Sequence, residues 1–256
     1  MSKRYKVQFP RETINMDQNE AFFHFFAGGE KHKLRFHDYN EIFKFPGLYE
    51  QLFYDRLKCC SHNKVSDILK TTVEQQSNLN FSELRVLDLG AGNGMVGEAL
   101  KDHGVSRMVG VDIFPEAEKS CERDRPGVYD DYYTTDLTKL GKEEQEDMES
   151  WSLNCFTTVA ALGYGDIPPK AFFQAFNLIE SNSWVAFNIK ETFLDNSDTS
   201  GFSKAIRELI FSEYLDLHHL ERYRHRFSID GTPLYYFAIA GKKNAHIPDS
   251  FLSKLA

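Results

Sequence analysis

The sequence has few cysteines, fewer basic than acidic residues and no long apolar run. Its four cysteines comprise an adjacent pair, Cys59 and Cys60, and two isolated residues, Cys121 and Cys155. This spacing fits neither a disulfide framework nor a Cys-x-x-Cys metal site. The formal net charge of −8 disfavours a nucleic-acid partner, which normally requires a basic face. No stretch is long enough to cross a membrane, and the N-terminus lacks a signal-peptide core. We therefore expect a cytoplasmic protein with reduced thiols, no bound metal, and neither a membrane nor a nucleic-acid partner.

A glycine-rich segment dominates what the sequence does contain. Residues 86–97 read Val-Leu-Asp-Leu-Gly-Ala-Gly-Asn-Gly-Met-Val-Gly, an apolar strand, a turn and the start of a helix. A parallel strand is apolar because both faces of its sheet are covered. Glycine lets the backbone bend sharply and approach a ligand closely, and the helix N-terminus directs free N–H groups at whatever lies above it. The segment predicts a cofactor-binding β-turn-α unit.

Two classes of cofactor use such a turn. Gly92-x-Gly94-x-x-Gly97 matches the dinucleotide fingerprint. The longer pattern Asp88-x-Gly90-x-Gly92-x-Gly94 adds an acid at the end of the strand. That carboxylate suits the ammonium group of an amino-acid moiety, directly or through water, better than it suits a pyrophosphate. S-adenosyl-L-methionine carries such a group and no phosphate, and the segment resembles motif I of class I S-adenosylmethionine-dependent methyltransferases.

Further acids follow the next two strands. Asp112 ends the strand Met108–Ile113, where a carboxylate can accept hydrogen bonds from both ribose hydroxyls of either S-adenosylmethionine or NAD. The methyltransferase resemblance implies that Asp136 accepts from the adenine amine and that the Leu137 N–H donates to the ring nitrogen. An N-cap role for Asp136 is equally compatible with its position. The fourth strand is predicted over Cys155–Leu162, and its small residues would leave room for the sulfonium.

The resemblance also implies a cover over the cofactor. Tyr54-Asp55 is similar to a dipeptide in the helix that precedes the core of small-molecule methyltransferases, where the tyrosine covers the cofactor. The expected product is S-adenosyl-L-homocysteine. The predicted cofactor contacts are Asp88, Gly90, Ala91, Gly92, Asn93, Gly94, Asp112, Ile113, Asp136, Leu137, Ala160, Ala161 and Tyr54.

Acceptor-side candidates come from two regions. Tyr164 and Asp166 lie in the loop Gly163–Pro169, at the edge where open α/β sheets bind ligands. The tyrosine can stack or hydrogen-bond and the carboxylate can accept a proton, although a plain Gly/Pro turn explains the loop as well. From the N-terminal region, His37 is a candidate catalytic residue and Tyr39 a candidate substrate contact, unless this stretch is only a helix start. Glu191, after the strand Trp184–Lys190, binds substrate or forms an ion pair.

The element order predicts a class I methyltransferase fold: an α/β, Rossmann-like, mostly parallel seven-stranded sheet. Residues 1–80 read as an aromatic-rich, mainly helical cover in which Phe22–Phe26 packs in the core or begins a hairpin. Residues 81–243 form the core, and 244–256 a tail. A long helix is predicted over Gly201–Leu217, followed by an antiparallel hairpin turning at Asp230-Gly231. His218, His219 and His225 lack the spacing of a metal site.

Within this class, three segments resemble the methyltransferase-like proteins of the Williams–Beuren region and their bacterial relatives: Gly110–Asp112, Gly127–Tyr129 and Val159–Leu162 leading to Asp166–Pro168. The resemblance implies methyl transfer but names no acceptor. The aromatic content of the predicted acceptor pocket, between the N-terminal cover and the loop Gly163–Pro169, indicates an aromatic or apolar small molecule. Because the sulfonium already activates the methyl group, we expect alignment to matter more than strong base catalysis. An NAD(P)-dependent oxidoreductase and a non-catalytic S-adenosylmethionine-binding protein remain alternatives. Either a monomer or a homodimer is compatible with the sequence.

Overall fold

A seven-stranded sheet forms the centre of the molecule, in the order β6-β5-β4-β7-β8-β10-β9. The computed structural model describes residues 3–11, 20–195 and 197–252. Strands β6, β5, β4, β7 and β8 are parallel, and β10 and β9 are antiparallel. The strand bounds are β4 Arg85–Leu89, β5 Arg107–Asp112, β6 Asp131–Thr134, β7 Cys155–Thr158, β8 Trp184–Lys190, β9 Leu215–Phe227 and β10 Pro233–Lys243.

Helices alternate with the parallel strands, as right-handed crossovers require. The two central strands β4 and β7 are almost entirely buried because apolar side chains pack on both of their faces. The helices of this part are α3 Ser61–Gln76, α4 Met95–Asp102, α5 Pro115–Asp124, α6 Lys142–Ser150, α7 Pro169–Leu178, α8 Phe202–Phe211 and α9 Asp249–Leu252, with 3₁₀ turns at Phe81–Glu83, Leu137–Lys139 and Glu191–Leu194.

The chain after β4 continues to β5 on one side of it, whereas β7 pairs on its other side. The loops that follow these strands therefore separate above β4. Ligands of open α/β sheets bind in the crevice at such a switch point, beyond the carboxyl ends of the strands. The fold thus positions the glycine-rich turn at the expected ligand edge.

The N-terminal region combines a small sheet with short helices. Strands β1 Lys6–Gln8, β2 Phe22–Ala27 and β3 Glu30–Arg35 form an antiparallel sheet, which confirms Phe22–Phe26 as a hairpin strand. Helices α1 Tyr39–Phe43 and α2 Leu48–Glu50 follow, and α2 continues as a π-helix over Gln51–Arg56. A separate apolar cluster that includes Phe23, Phe25 and Leu52 holds this region together.

Two predicted elements have different bounds. The fourth strand ends at Thr158 rather than Leu162, because Ala160 adopts a left-handed backbone with φ of 59° that no strand can continue through. Helix α8 ends at Phe211 rather than Leu217, and the chain from Leu215 onward belongs to β9. The closing hairpin is consequently longer than predicted. Across the described ranges, no helix has both the length and the apolar character needed to cross a membrane.

Candidate functional site

A cleft at the carboxyl ends of β4, β5 and β7, here named the main cleft, contains most of the predicted cofactor positions. Helices of the N-terminal region close it from above. Its lining residues are Tyr39, Phe43, Tyr49, Leu89, Gly90, Gly92, Asp112, Ile113, Phe114, Thr135, Asp136, Leu137, Val159, Ala160, Ala161, Asp166, Ile167, Pro168 and Ala171. The structure therefore brings together the glycine turn and the ends of three strands, as the sequence predicts.

The turn after β4 approaches its neighbours too closely for a side chain. Gly90 has a φ of 73°, and a Cβ there would lie 2.7 Å from the Cβ of Ala161. A larger residue would be strained by its backbone and would push the turn away from the loop after β7. Gly90 therefore holds the two walls of the main cleft at close distance.

Asp112 lies at the end of β5 with its carboxylate fixed from two sides. The Gly92 N–H donates to Oδ2 and the Phe114 N–H donates to Oδ1, both at 3.0 Å. Burial raises the pKa of Asp112, while the hydrogen bonds from Phe114 and Gly92 act in the opposite direction. Asp112 also lines the main cleft, and each of its oxygens can accept a further hydrogen bond there, as a pair of vicinal hydroxyl groups would require.

Asp136 performs the capping role that its position suggested. Its Oδ1 accepts from the Thr138 N–H at 3.0 Å and from the Thr138 hydroxyl at 2.7 Å, which begins the 3₁₀ turn Leu137–Lys139. The hydrogen bond from Thr138 lowers the pKa of Asp136, so this residue is a carboxylate at neutral pH. It also lines the main cleft. An adenine contact by Asp136 and Leu137 stays a prediction.

Asp88 does not line the main cleft. Its carboxylate is 1% exposed and accepts from the Tyr129 hydroxyl at 2.6 Å and the Thr157 hydroxyl at 2.8 Å. Tyr129 also packs on helix α4, where a Cβ on Gly97 would lie 2.8 Å from its ring. Gly97 thus completes the dinucleotide-like spacing because it makes room for Tyr129. In this arrangement the Asp88 carboxylate lies under the glycine-rich turn, on the side away from the main cleft. It could influence a bound cofactor only indirectly, through the position of the turn.

Burial of Asp88 predicts an unusual pH dependence of stability. Desolvation raises its pKa from 3.8 to about 6, against the opposing hydrogen bonds from Tyr129 and Thr157. The folded protein therefore binds the proton more tightly than the unfolded chain, and this contribution to stability is lost as pH rises from about 4 to about 6. Because one pKa unit corresponds to about 1.4 kcal/mol, we expect Asp88→Asn to gain up to about 3 kcal/mol of stability relative to the wild type between pH 4 and pH 8.

Urea denaturation at intervals between pH 4 and pH 8 measures this effect. Asp131→Asn is the matched control, because Asp131 is an exposed acid at the start of β6, two strands away from β4 in the sheet. A pH profile of the Asp88 variant parallel to that of the wild type would contradict the assignment.

Four other predicted cofactor residues lie behind the cleft wall. Ala91 and Gly94 pack inward, and the Asn93 amide donates to Glu50 Oε1 at 2.7 Å. Tyr54 does not cover the cleft: its ring packs against Tyr49 and His62. Tyr49, five residues earlier in the chain, lines the cleft instead.

An ionic network joins the N-terminal region to the glycine turn. Glu50 Oε1 accepts from Asn93 and, at 2.9 Å, from Nη1 of Arg125, whose Nε donates to Glu98 at 2.9 Å. Arg123 adds a hydrogen bond from Nη1 to the Phe43 carbonyl at 3.0 Å. The end of helix α5 therefore holds the covering helices against the core.

A second cavity, here named the inner chamber, opens beside the main cleft and shares Tyr39, Tyr49, Ala160 and Asp166 with it. It is smaller, about 30 Å³ against about 110 Å³. The complete lining is His37, Tyr39, Tyr49, Phe53, Cys59, Ala160, Leu162, Tyr164, Asp166, His225, Arg226 and Tyr236.

The inner chamber unites the acceptor-side candidates of both regions. His37 Nδ1 lies 2.9 Å from Asp166 Oδ2, and the His37 ring lies 5.2 Å from the ring of Tyr164. Tyr164 has a φ of 53° between two glycines that are also left-handed, a strained loop of the kind found at functional sites. Glu191 is the exception. It forms a bidentate ion pair with Arg222 and lines neither cavity, so the ion-pair interpretation applies.

Several lining residues have no signal in the sequence. Tyr49 and Phe43 belong to an aromatic-rich stretch in which any ring could face the core, and His225, Arg226 and Tyr236 come from the closing hairpin. Within the described ranges, no group of three or more His, Cys, Asp or Glu side chains could hold a metal ion.

The doubly wound sheet, the terminal antiparallel hairpin and a cleft above the glycine turn define a Rossmann-like methyltransferase domain. The particular family follows from the sequence model for the methyltransferase domain, which matches residues 62–238, more than half of the chain. The protein belongs to this family. No curated protein matches the sequence.

Solved structures show the same fold at low sequence identity. A complex between the Haloferax volcanii Trm112 methyltransferase activator and the putative methyltransferase has 14% identity, covering 81% of this chain and 98% of that one, with a TM-score of 0.55. A SAM-dependent methyltransferase from Anabaena variabilis has 12% identity, 80% and 93% coverage, and a TM-score of 0.52. Magnesium protoporphyrin IX methyltransferase from Synechocystis with bound SAH has 15% identity, 72% and 83% coverage, and a TM-score of 0.50.

Proposed function

We propose that the protein is an S-adenosylmethionine-dependent methyltransferase that methylates a small molecule held in the inner chamber. The charge of the main cleft carries this proposal. Asp112, Asp136 and Asp166 line it, whereas its described lining includes no lysine, arginine or histidine. S-adenosylmethionine is cationic at its sulfonium and ammonium groups, so an acidic cleft favours it. Lys139 pairs with Asp136 at 3.0 Å and His37 pairs with Asp166 at 2.9 Å, which leaves Asp112 as the cleft carboxylate without an ion-pair partner among the described residues. A pyrophosphate beside Asp112 would meet a charge of the same sign.

The lining residues fit the parts of this cofactor. Asp112 would accept from the ribose hydroxyls, and Asp136 with the Leu137 N–H would bind the adenine edge. The side chains of Ile113, Leu89 and Ile167 provide apolar surface for a planar ring, and the close approach of Gly90 to Ala161 keeps the walls narrow. When bound, S-adenosylmethionine supplies a methyl group that its sulfonium already activates.

The chain's own contribution to catalysis is alignment and proton removal. Ala160 lines both cavities, and its methyl side chain occupies little space where they adjoin. Tyr39 and Tyr49 line both cavities, and their rings would exclude water from the place where the cavities adjoin. His37, paired with Asp166 at 2.9 Å, is placed to accept a proton from an acceptor. Correct placement of the acceptor would account for most of the acceleration.

Titration calorimetry with S-adenosylmethionine, S-adenosylhomocysteine, NADH and NADPH tests the cofactor. We expect micromolar dissociation constants for the first two and no heat from the nicotinamide cofactors. Binding of NADH or NADPH alone would overturn the proposal in favour of an oxidoreductase. Binding of the S-adenosyl compounds with no methyl transfer to any acceptor would support a non-catalytic binding protein.

The finer expectations from the sequence stay predictions. These are the specific resemblance to the Williams–Beuren methyltransferase-like proteins, a cytoplasmic location, and a monomeric or homodimeric state. The separate N-terminal cover, residues 1–80, is proposed as the part that selects the acceptor, because it provides His37, Tyr39 and Tyr49 to the inner chamber.

A further inference from the structure

The inner chamber contains a buried arginine that has no carboxylate partner. Arg226 is 6% exposed, and its Nη1 donates to the Phe227 carbonyl at 2.9 Å. Among the described residues, no Asp or Glu forms an ion pair with it. Asp166, the carboxylate in the same chamber, is bonded to His37. A guanidinium removed from water without a counter-charge is costly, and such a group is retained where a ligand supplies the missing charge.

A β-bulge turns Arg226 into the chamber. The register of β9 on β10 shifts there: Leu234 pairs with Arg226, while the next residue, Tyr235, pairs with Arg224. His225 is the extra residue, so His225 and Arg226 are both buried although regular alternation would expose one of them. Bulges of this kind redirect side chains beside active sites. Because of this irregular pairing, the guanidinium group of Arg226 lines the inner chamber.

The other polar groups of this wall are neutral. Burial, together with the charge of Arg226, lowers the pKa of His225 well below its usual value. The His225 ring is bonded to the Ser61 hydroxyl at 2.5 Å, and burial raises the pKa of the Cys59 thiol to about 11. Tyr236 stacks beside His225, with ring centroids 4.0 Å apart. Arg226 is therefore the fixed charge on this side of the chamber.

We propose that Arg226 anchors the carboxylate of the methyl acceptor, so that the substrates are small carboxylic acids with a planar or apolar body. This inference rests on the proposed function. Guanidinium binds carboxylate through two parallel hydrogen bonds. At about 30 Å³ the inner chamber has room for little more than the carboxylate, so the body of the acceptor extends between Tyr39 and Tyr49 towards the main cleft.

The position of Arg226 also separates the anchor from the reacting atom. Arg226 lines the inner chamber but not the main cleft, whereas Ala160 and Asp166 line both cavities. A carboxylate bound at Arg226 is therefore held away from the methyl donor. The methylated atom is a second nucleophile of the same acceptor, directed towards His37 and Asp166. Its proton passes to His37 as the new bond to the methyl carbon forms and the bond from sulfur to that carbon breaks.

Matched pairs of ligands test this assignment without a known acceptor. A panel of aromatic and aliphatic carboxylic acids, each with its primary amide, is measured by ligand-observed NMR on protein saturated with S-adenosylhomocysteine. We expect acids to bind at least tenfold more tightly than their amides, and Arg226→Met to abolish this preference. Arg224→Met is the control, because Arg224 lies two residues away on β9 and stacks on Phe227 outside the chamber.

The outcomes separate the two proposals. Equal binding of acids and amides, binding by no acid, or unchanged acid binding in Arg226→Met overturns the anchor. Failure of S-adenosylhomocysteine to bind the wild type overturns the proposed function instead. If Arg226→Met does not fold, Arg226→Lys decides, since it keeps the charge but not the paired donors. Arg226→Lys should retain a preference for acids over amides, with several-fold lower affinity for the acids. If the control Arg224→Met also lost the preference for acids, the assignment to Arg226 would be contradicted.

Discussion

Replacement of Asp112 by alanine should weaken binding of S-adenosylhomocysteine at least ~100-fold while the sheet stays folded. Hydrogen bonds to a charged group contribute about 1.5–3 kcal/mol each, and the carboxylate would lose two from the ribose. Each 1.4 kcal/mol corresponds to a factor of ten. The variant also removes the acceptor of the hydrogen bonds that the Gly92 and Phe114 N–H groups donate. The glycine-rich turn beside the ligand should therefore become less ordered.

Titration calorimetry measures the affinity, and circular dichroism with urea denaturation establishes that the variant is folded. Asp131→Ala removes the same charge from the other end of the neighbouring strand, outside the main cleft, and should bind normally. A dissociation constant for Asp112→Ala within threefold of the wild type would exclude the ribose assignment. The experiment measures cofactor affinity rather than turnover, so it can be interpreted before the methyl acceptor is known.

The sequence predicted the parts of the fold that local signals determine. The apolar strands, the glycine turn, the hairpin turn at Asp230-Gly231 and the acid at the end of β5 are all explicit in short segments. Their meeting at one sheet edge follows from the rules of parallel α/β topology. Asp112 and Gly90 could thus be located at the main cleft from the sequence.

Side-chain direction could not be predicted where distant partners decide it. Asp88 has the right spacing for a cofactor contact, but Tyr129 and Thr157 hold its carboxylate under the turn. Tyr54 belongs to a π-helix, which changes the phase of the side chains after Glu50. The Tyr54-Asp55 dipeptide indicates Tyr54, but its ring packs against Tyr49 and His62, and Tyr49 lines the cleft.

Arg226 illustrates the same limit in a strand. Regular alternation from Tyr223 would place it on the outer face, and only the bulge opposite Leu234 and Tyr235 reverses it. The cue for this bulge lies in the pairing of two strands and not in either strand alone. The residue that we propose as the anchor of the acceptor is consequently one that the sequence alone does not indicate.

Replacement of Arg125 by methionine should destabilise the fold by about 2–3 kcal/mol. Removal of one partner of a buried ion pair costs about 3–5 kcal/mol, and the side chain of Glu50 is 25% exposed, which reduces the penalty. Glu50 Oε2 already lacks a hydrogen-bond partner. Without Arg125, the carboxylate would keep only the Asn93 amide on its other oxygen.

Two comparisons separate this network from ordinary surface charge. Arg35→Met breaks the ion pair with Asp38, whose arginine is 62% exposed, and should cost less than about 1 kcal/mol. Adding Glu50→Gln to Arg125→Met removes the stranded charge and should restore part of the stability in urea denaturation. Because Asn93 and Glu50 join the covering helices to the glycine turn, Arg125→Met should also weaken binding of S-adenosylhomocysteine, whereas Arg35→Met should not. Equal destabilisation by the two arginine variants would mean that the cover is held by its apolar contacts alone, and the network would then have no special role in closing the cleft.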